Sequence, residues 1–377
     1  QQGGPRSVTD AQHSEHNPSS STTSAPHFLQ RGGNIKSNRC RPKCRTGLAK
    51  PSIMLLLRSL TFPNHHSGYG MARSISQTPP MDYIDTMTDQ MLVFDRRQIR
   101  WNRDRAAPGF ADHDFLKREI SERVADRMGD FRRRFPRLLD LGCHSGLLCN
   151  SLDPRLGVEW IVGMDPSEVF ARKAFQNGPA LAAEEELLPF APASFDAVIS
   201  ILSLHWVNDL PGALLRARQC LKPDGLFLGA MLGGETLHEL RAVLTEAESD
   251  VLGGAGPRVS PFVKLQDAAG LMQRAGFALP VVDSDLLTVT YENAFLLMRE
   301  LRGMGEGNAV AARRKSATPK SVFLRAAEIY QQRHGTSCGR IPASFRILYL
   351  TGWVPHVSQQ RRAPAGRCIG INRTVRW

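Results

Sequence analysis

The run Arg137-Leu-Leu-Asp-Leu-Gly-Cys-His-Ser-Gly146 constrains this chain more than any other. Its first five residues read as a short buried strand, and Pro136 ends the helical pattern that precedes it. Gly142 and Gly146 then supply a turn into a further helical stretch. A strand entering a helix through a glycine turn is the opening unit of an open α/β sheet, whose ligands sit at the carboxyl ends of the strands. The following segments repeat the alternation. Trp160–Asp165 is a second strand ending in an acid, and Pro166 and Ser167 start a helix. Phe195–Ile201 is a third apolar strand, Leu210–Leu221 is helical, Lys222–Gly225 is a turn and Leu226–Leu232 is again strand. This order predicts a doubly wound, mostly parallel sheet covered on both faces.

Upstream, Leu116, Ile120, Val124 and Met128 recur at helical spacing near 112–135, with Lys117, Arg118, Glu119, Glu122 and Arg123 expected on other faces. Downstream, helices are expected at Thr236–Val251, Leu265–Ala275, Asn293–Leu301 and around Ser321–Gln332. Strands are expected at Pro280–Tyr291 and Ser344–Leu350. A glycine-rich loop occupies Gly303–Gly307, and no internal repeat is visible.

The net charge of +12 suggests nucleic acid until it is divided along the chain. Residues 1–81 hold ten Lys or Arg against two acids, Asp10 and Glu15, so two thirds of the excess lies there. The remainder is nearly balanced and shows no dense basic face, which argues against nucleic-acid binding. No apolar run approaches the ~18 residues of a membrane-spanning helix. Seven scattered cysteines are too few for a disulfide-stapled secreted fold. Cys40 and Cys44 form a lone pair, short of the about four ligands of a zinc site. From His16 to Met81 there is no Asp or Glu, while Ser, Thr and Arg abound, the composition of an organellar transit peptide. Met54, opening an apolar and basic stretch, is the expected true start. The expected organisation is a leader over 1–81, one domain over 92–365 and an irregular tail over 366–377.

The glycine turn has the spacing Asp140-x-Gly142-x-His144-x-Gly146, which is neither a dinucleotide fingerprint nor a phosphate loop. Asp165, ending the next strand, is placed to accept hydrogen bonds from both hydroxyls of a ribose. The acid run Glu184-Glu185-Glu186 precedes the third strand, where a carboxylate or its neighbouring amide would face an adenine. In this order the three features favour an adenosine-type ligand.

The same order resembles the class I S-adenosylmethionine-dependent methyltransferases. That resemblance implies a seven-stranded sheet with extra helices after the fifth and sixth strands. It implies S-adenosylmethionine held by Asp140, Gly142, Gly146, Asp165 and Glu184. His144 departs from it, standing where the family has glycine, and would crowd the aminopropyl end of the cofactor. A narrower resemblance rests on Val93-Phe-Asp-Arg96, Arg103-Asp-Arg-Ala-Ala107, Ser203-Leu-His-Trp-Val-Asn-Asp-Leu-Pro211, Gly233–Arg241, Arg258–Phe262, Arg274–Phe277, Leu301-Arg-Gly-Met-Gly-Glu-Gly-Asn308 and Gly352-Trp353. These are similar to a family of mitochondrial complex I assembly factors that hydroxylate arginine on a methyltransferase fold. Related bacterial enzymes methylate malonyl carrier protein in biotin synthesis. The resemblance spans roughly residues 92–365. It implies a matrix enzyme, peripheral to the inner membrane. Its partners would be an iron–sulfur subunit of complex I and the early assembly intermediates.

Catalytic candidates remain open at this level. His205 and Trp206, after the third strand, form an active-site wall or a packed loop. Asp209 orients His205, attracts a guanidinium or caps the turn before Pro211. Glu235 and Glu239, four apart, face a basic substrate together or form a solvated face. Cys143 and Cys149 read as small buried hydrophobes. The chain has a His-x-Asp/Glu pair only at His13-Ser14-Glu15, so no iron-binding facial triad is expected. Three functions follow: arginine hydroxylase, methyltransferase of a carrier-bound acyl carboxylate or a protein, and non-catalytic assembly chaperone.

Overall fold

Strand and helix periodicity resolve into alternating elements in the computed structural model, which describes residues 92–359. The expected leader over 1–81 with its start at Met54, Cys40 and Cys44, and the expected tail over 366–377 lie outside these residues. Helix α1 (Arg96–Ala106) is capped by Asp95, which accepts from the Gln98 amide, and α2 (Phe115–Gly129) follows. Then come β1 (Arg137–Leu141), the short α3 (Leu148–Ser151), β2 (Trp160–Asp165), α4 (Glu168–Ala174) and β3 (Ala180–Ala182). Next are β4 (Phe195–Ile201), α5 (Leu210–Cys220), β5 (Leu221–Leu232), α6 (His238–Leu252) and α7 (Leu265–Arg274). The chain continues through β6 (Ala278–Tyr291), α8 (Ala294–Gly303), α9 (Lys320–His334) and β7 (Ile341–Trp353).

The seven strands lie in the order β3-β2-β1-β4-β5-β7-β6, with β7 antiparallel to both β5 and β6. Alternation along each strand builds the two faces. Leu226, Leu228, Ala230 and Leu232 of β5 join a core with α2, α6, α8 and α9. Phe227 and Met231 point the other way, to α5 and α7. The helices after the fifth and sixth strands thus cover one half of the sheet. The order reverses between β1 and β4, where a crevice opens at the strands' carboxyl ends.

Three features differ from the sequence reading. Lys222–Gly225 lies inside β5, with Asp224 at φ +61° and the register to β4 slipping between Phe195 and Ala197. The turn residues form an irregularity in a strand that continues through them. Helix α1 and β3 were not expected. The first is strongly polar and the second has three residues, too few for periodicity to register. Among the described residues no helix is long and apolar enough to cross a membrane.

Leu139 in central β1 is fully buried. Leu139→Ala is expected to destabilise the fold by about 2–5 kcal/mol in chemical denaturation, through lost apolar burial and the cavity left behind.

Candidate active site

The glycine turn after β1 folds back through left-handed backbone at three positions: Gly142 (φ +75°), His144 (φ +49°) and Gly146 (φ +75°). Glycine meets this demand freely, whereas His144 is strained there by its Cβ. Its ring is buried between Phe110 and Phe170, at 5.4 and 5.0 Å between centroids, and that packing holds it. Burial, with Lys117 and Arg103 nearby, drives its pKa well below the ordinary value, so the imidazole is neutral. A Cβ on Gly142 would lie 2.1 Å from the Ser203 side chain, so no other residue fits against β4's exit.

Asp165, at the end of β2, is fully buried. Its Oδ1 accepts from the Ser167 amide at 2.9 Å, and its Oδ2 from the His144 amide at 3.0 Å. Arg103 Nη1 of α1 donates to the same Oδ2 at 3.1 Å, and Nη2 donates to Ser203 Oγ at 2.9 Å. Ser203 Oγ in turn donates to Glu185 Oε1 at 2.5 Å. Burial opposes the charge of Glu185, but Arg96 and Arg103 outweigh it and hold the carboxyl down to about 2. Glu184 lies at the edge, paired with Arg96 and Arg100, while Glu185 is the acid turned fully inward.

Lys117 was expected on an outer face of α2. The structure buries it instead, because the glycine turn presents acceptors that the helix's apolar face does not. Its ammonium donates to Gly142 O at 2.7 Å and to Ile201 O at 2.5 Å, and lies 3.0 Å from His144 Nδ1. Burial lowers its pKa to about 8, against the pull of Asp140 and Asp165. Asp140 is itself buried, and its Oδ1 has no hydrogen-bond partner. Desolvation raises its pKa to about 6, only partly offset by Lys117.

Beside this cluster a cavity of about 330 Å³ opens over the ends of β4 and β5, bounded by Leu202, Leu232, Phe262 and Met298. Lys117 and His144 form its inner wall, and Glu306 is the one carboxylate lining it. Glu306 Oε2 lies 3.1 Å from His205 Nε2 and accepts from Trp206 Nε1 at 2.9 Å. Glu306 comes from the glycine-rich loop after α8, and sequence reasoning singled out the loop without the acid.

The other catalytic candidates do not converge. Trp206 lines the cavity, and His205 is buried beneath it with Nδ1 unpartnered. Asp209 caps α5, accepting from the Gly212 amide at 2.9 Å, so Glu306 rather than Asp209 holds His205. Glu235 and Glu239 do not face a substrate together. Leu237 takes a left-handed conformation (φ +53°) and starts α6 only at His238, leaving Glu235 outside the helix. Glu235 is exposed and pairs with Arg346, while Glu239 is buried and accepts from Ser344 Oγ at 2.5 Å. Cys143 is fully buried, and Cys149 donates to Gly146 O. Among the described residues no three His, Cys, Asp or Glu stand close enough to hold a metal ion.

The sheet order, the left-handed glycine turn and the strand-end acid define a class I methyltransferase fold. The methyltransferase domain family matches residues 139–229, from β1 into β5. A zebrafish (Danio rerio) relative called mitochondrial arginine-hydroxylase NDUFAF5 is 42% identical over 73% of this chain and 87% of its own length. The human protein of that name is 41% identical over 73% of this chain and 80% of its own. The chain belongs to this arginine-hydroxylase NDUFAF5 family. A malonyl-[acyl-carrier protein] O-methyltransferase of Xylella fastidiosa is 32% identical over 70% of this chain and 89% of its own length.

The buried Asp140 titration has a definite sign. Its folded pKa of about 6 lies above the unfolded 3.8. Between those values the unfolded chain loses a proton that the folded chain keeps, so stability falls as pH rises. Asp140→Asn mimics the protonated carboxyl. In urea titrations the parent should match the variant below about pH 4 and become progressively less stable than it up to about pH 6. Parallel pH profiles would contradict this reading.

Proposed function

We propose that the chain hydroxylates an arginine of an iron–sulfur subunit during early assembly of respiratory complex I. It would act in the mitochondrial matrix, peripheral to the inner membrane, with S-adenosylmethionine bound at the ends of β1 and β2. The family membership supports the activity. The single observation in the structure that carries the substrate is Glu306, the one carboxylate on the cavity lining, held by two donors. A guanidinium entering there meets an acceptor whose geometry is already set.

The residues at the turn fit the cofactor's chemistry. Asp165, at the end of β2, would accept from the ribose hydroxyls, and Glu184 and Glu185, after β3, would lie on the adenine side. Gly142 O and Ile201 O already receive an ammonium, that of Lys117, so they form an ammonium site. Asp140 Oδ1 is a buried acceptor with no partner. Gly142 and Gly146 supply the tight turn. When bound, the cofactor offers a sulfonium-activated methyl group. The chain's own part is to hold the ribose and ammonium and to shield the site with Phe110, His144 and Phe170.

A second reading is supported by the cations on the cavity lining. Arg105 and Arg302 stand there with Arg258, which is paired with Glu248. Such a mouth suits an acyl carboxylate, as the Xylella relative's name describes for its own substrate, and methyl transfer would then be the reaction. Mass spectrometry of the complex I iron–sulfur subunit, with and without this protein, separates the readings. One added oxygen on an arginine and no added methyl group is expected. A methylated arginine would overturn the assignment, and no modification would favour a non-catalytic assembly role.

A further inference from the structure

Every acceptor that would bind the cofactor, Asp140 excepted, is already covered by a cation from this chain. Arg103 spans Asp165 and Ser203, reaching Glu185 at 3.5 Å, and its side chain is only 2% exposed. Lys117 completes its three donors on Gly142 O, Ile201 O and the His144 ring. His144 fills the space beside them, fixed between two phenylalanines. These three residues come from α1, α2 and the turn itself, so the cover is built from separate elements rather than from one wandering side chain.

We propose that Arg103 is an internal competitor for the ribose site: the cofactor binds only when the guanidinium leaves Asp165, so α1 acts as a gate on cofactor binding. This rests on the cofactor reading given above. The reason is exclusion and valence. Asp165 Oδ1 accepts from Ser167, and Oδ2 accepts from both His144 and Arg103. Two ribose hydroxyls need two acceptor sites and only one, on Oδ1, is left, so the second can join only by replacing a donor on Oδ2. The two amides are fixed by the backbone of the turn and of α4's cap, whereas Arg103 has rotatable bonds and two alternative carboxylates. Glu185 would keep the displaced charge paired, so the exchange does not strand a buried cation. Glu306 also attracts Arg103, giving it a second direction of exit toward the cavity.

The apparent affinity of a site open only part of the time is reduced by the open fraction. Removing the competitor should therefore tighten binding even though it removes a polar side chain from the pocket. Calorimetry with S-adenosylhomocysteine on the full chain tests this. Arg103→Gln is expected to bind at least about tenfold more tightly than the parent, whereas Arg97→Gln, on the exposed side of α1, should match the parent. Circular dichroism confirms folding. Should the glutamine variant not fold, Arg103→Lys replaces it, keeping a cation near Asp165 while losing the fork that spans Asp165 and Ser203, and a smaller tightening in the same direction is expected. Equal or weaker binding in the folded variant would overturn the gate and leave the cofactor site standing. Absence of binding to both parent and variant would overturn the gate together with the cofactor reading. Hydrogen exchange gives a readout independent of affinity. Ligand should raise exchange in Arg96–Ala106 while protecting the glycine turn, and protection of both would count against the gate.

Discussion

The buried pairing of Arg103 with Asp165 and Glu185 ties α1 to the end of β2 and the segment that follows β3, and the rest of the site is arranged around it. Two carboxylates and a guanidinium withdrawn from water are tolerable only when mutually compensated, because an isolated buried charge costs several kcal/mol. The structure meets that condition with Ser203 linking Arg103 to Glu185, Arg96 closing Glu185, and two backbone amides on Asp165. The result is a polar cluster enclosed by an apolar fold. Burial pushes the pKa of Asp165 up, with Arg103 and the two amides opposing the rise, at the place where a strand-end acid serves a ribose.

A second charge, on Lys117, is held against the same turn from the opposite side of β1. Desolvation disfavours the ammonium while Asp140 and Asp165 favour it, which leaves its pKa at about 8. Asp140, one residue from β1's end, is left with an unsatisfied oxygen. The turn therefore combines an ammonium already in place and an acceptor still wanting a donor. Such a balance is weak as architecture and useful for a cationic ligand, since exchange of one cation for another leaves the electrostatics nearly unchanged.

Much of the sheet was legible because it is buried on both faces. Arg137–Leu141, Trp160–Asp165 and Phe195–Ile201 are short apolar runs with turns at each end, and their bounds agree with the structure. Segments whose identity depends on partners were not. Helix α1 offers only Ile99 and Ala106 as apolar inward residues, because the other two, Asn102 and Arg103, are met by polar groups elsewhere in the chain. Lys117 looked solvated because charge on a helix normally is, and only the three-dimensional turn supplies its carbonyls. The glycines of the turn could be read directly, since left-handed backbone has few alternatives. Glu235 and Glu239 misled because spacing of four implies one helical face only if both residues are helical, and Leu237 breaks the chain between them. Glu306 had no motif, only a place in a glycine-rich loop, and it acquires meaning from Trp206 and His205 a hundred residues away.

The central claim is that Asp165 serves either Arg103 or a ribose, but not both. A crystal structure of the chain with S-adenosylhomocysteine bound tests it most directly. The account predicts ribose hydroxyls on the Asp165 carboxylate and the Arg103 guanidinium turned away toward Glu185 or Glu306. A ligand bound at the turn with Arg103 still 3.1 Å from Asp165 Oδ2 would contradict it.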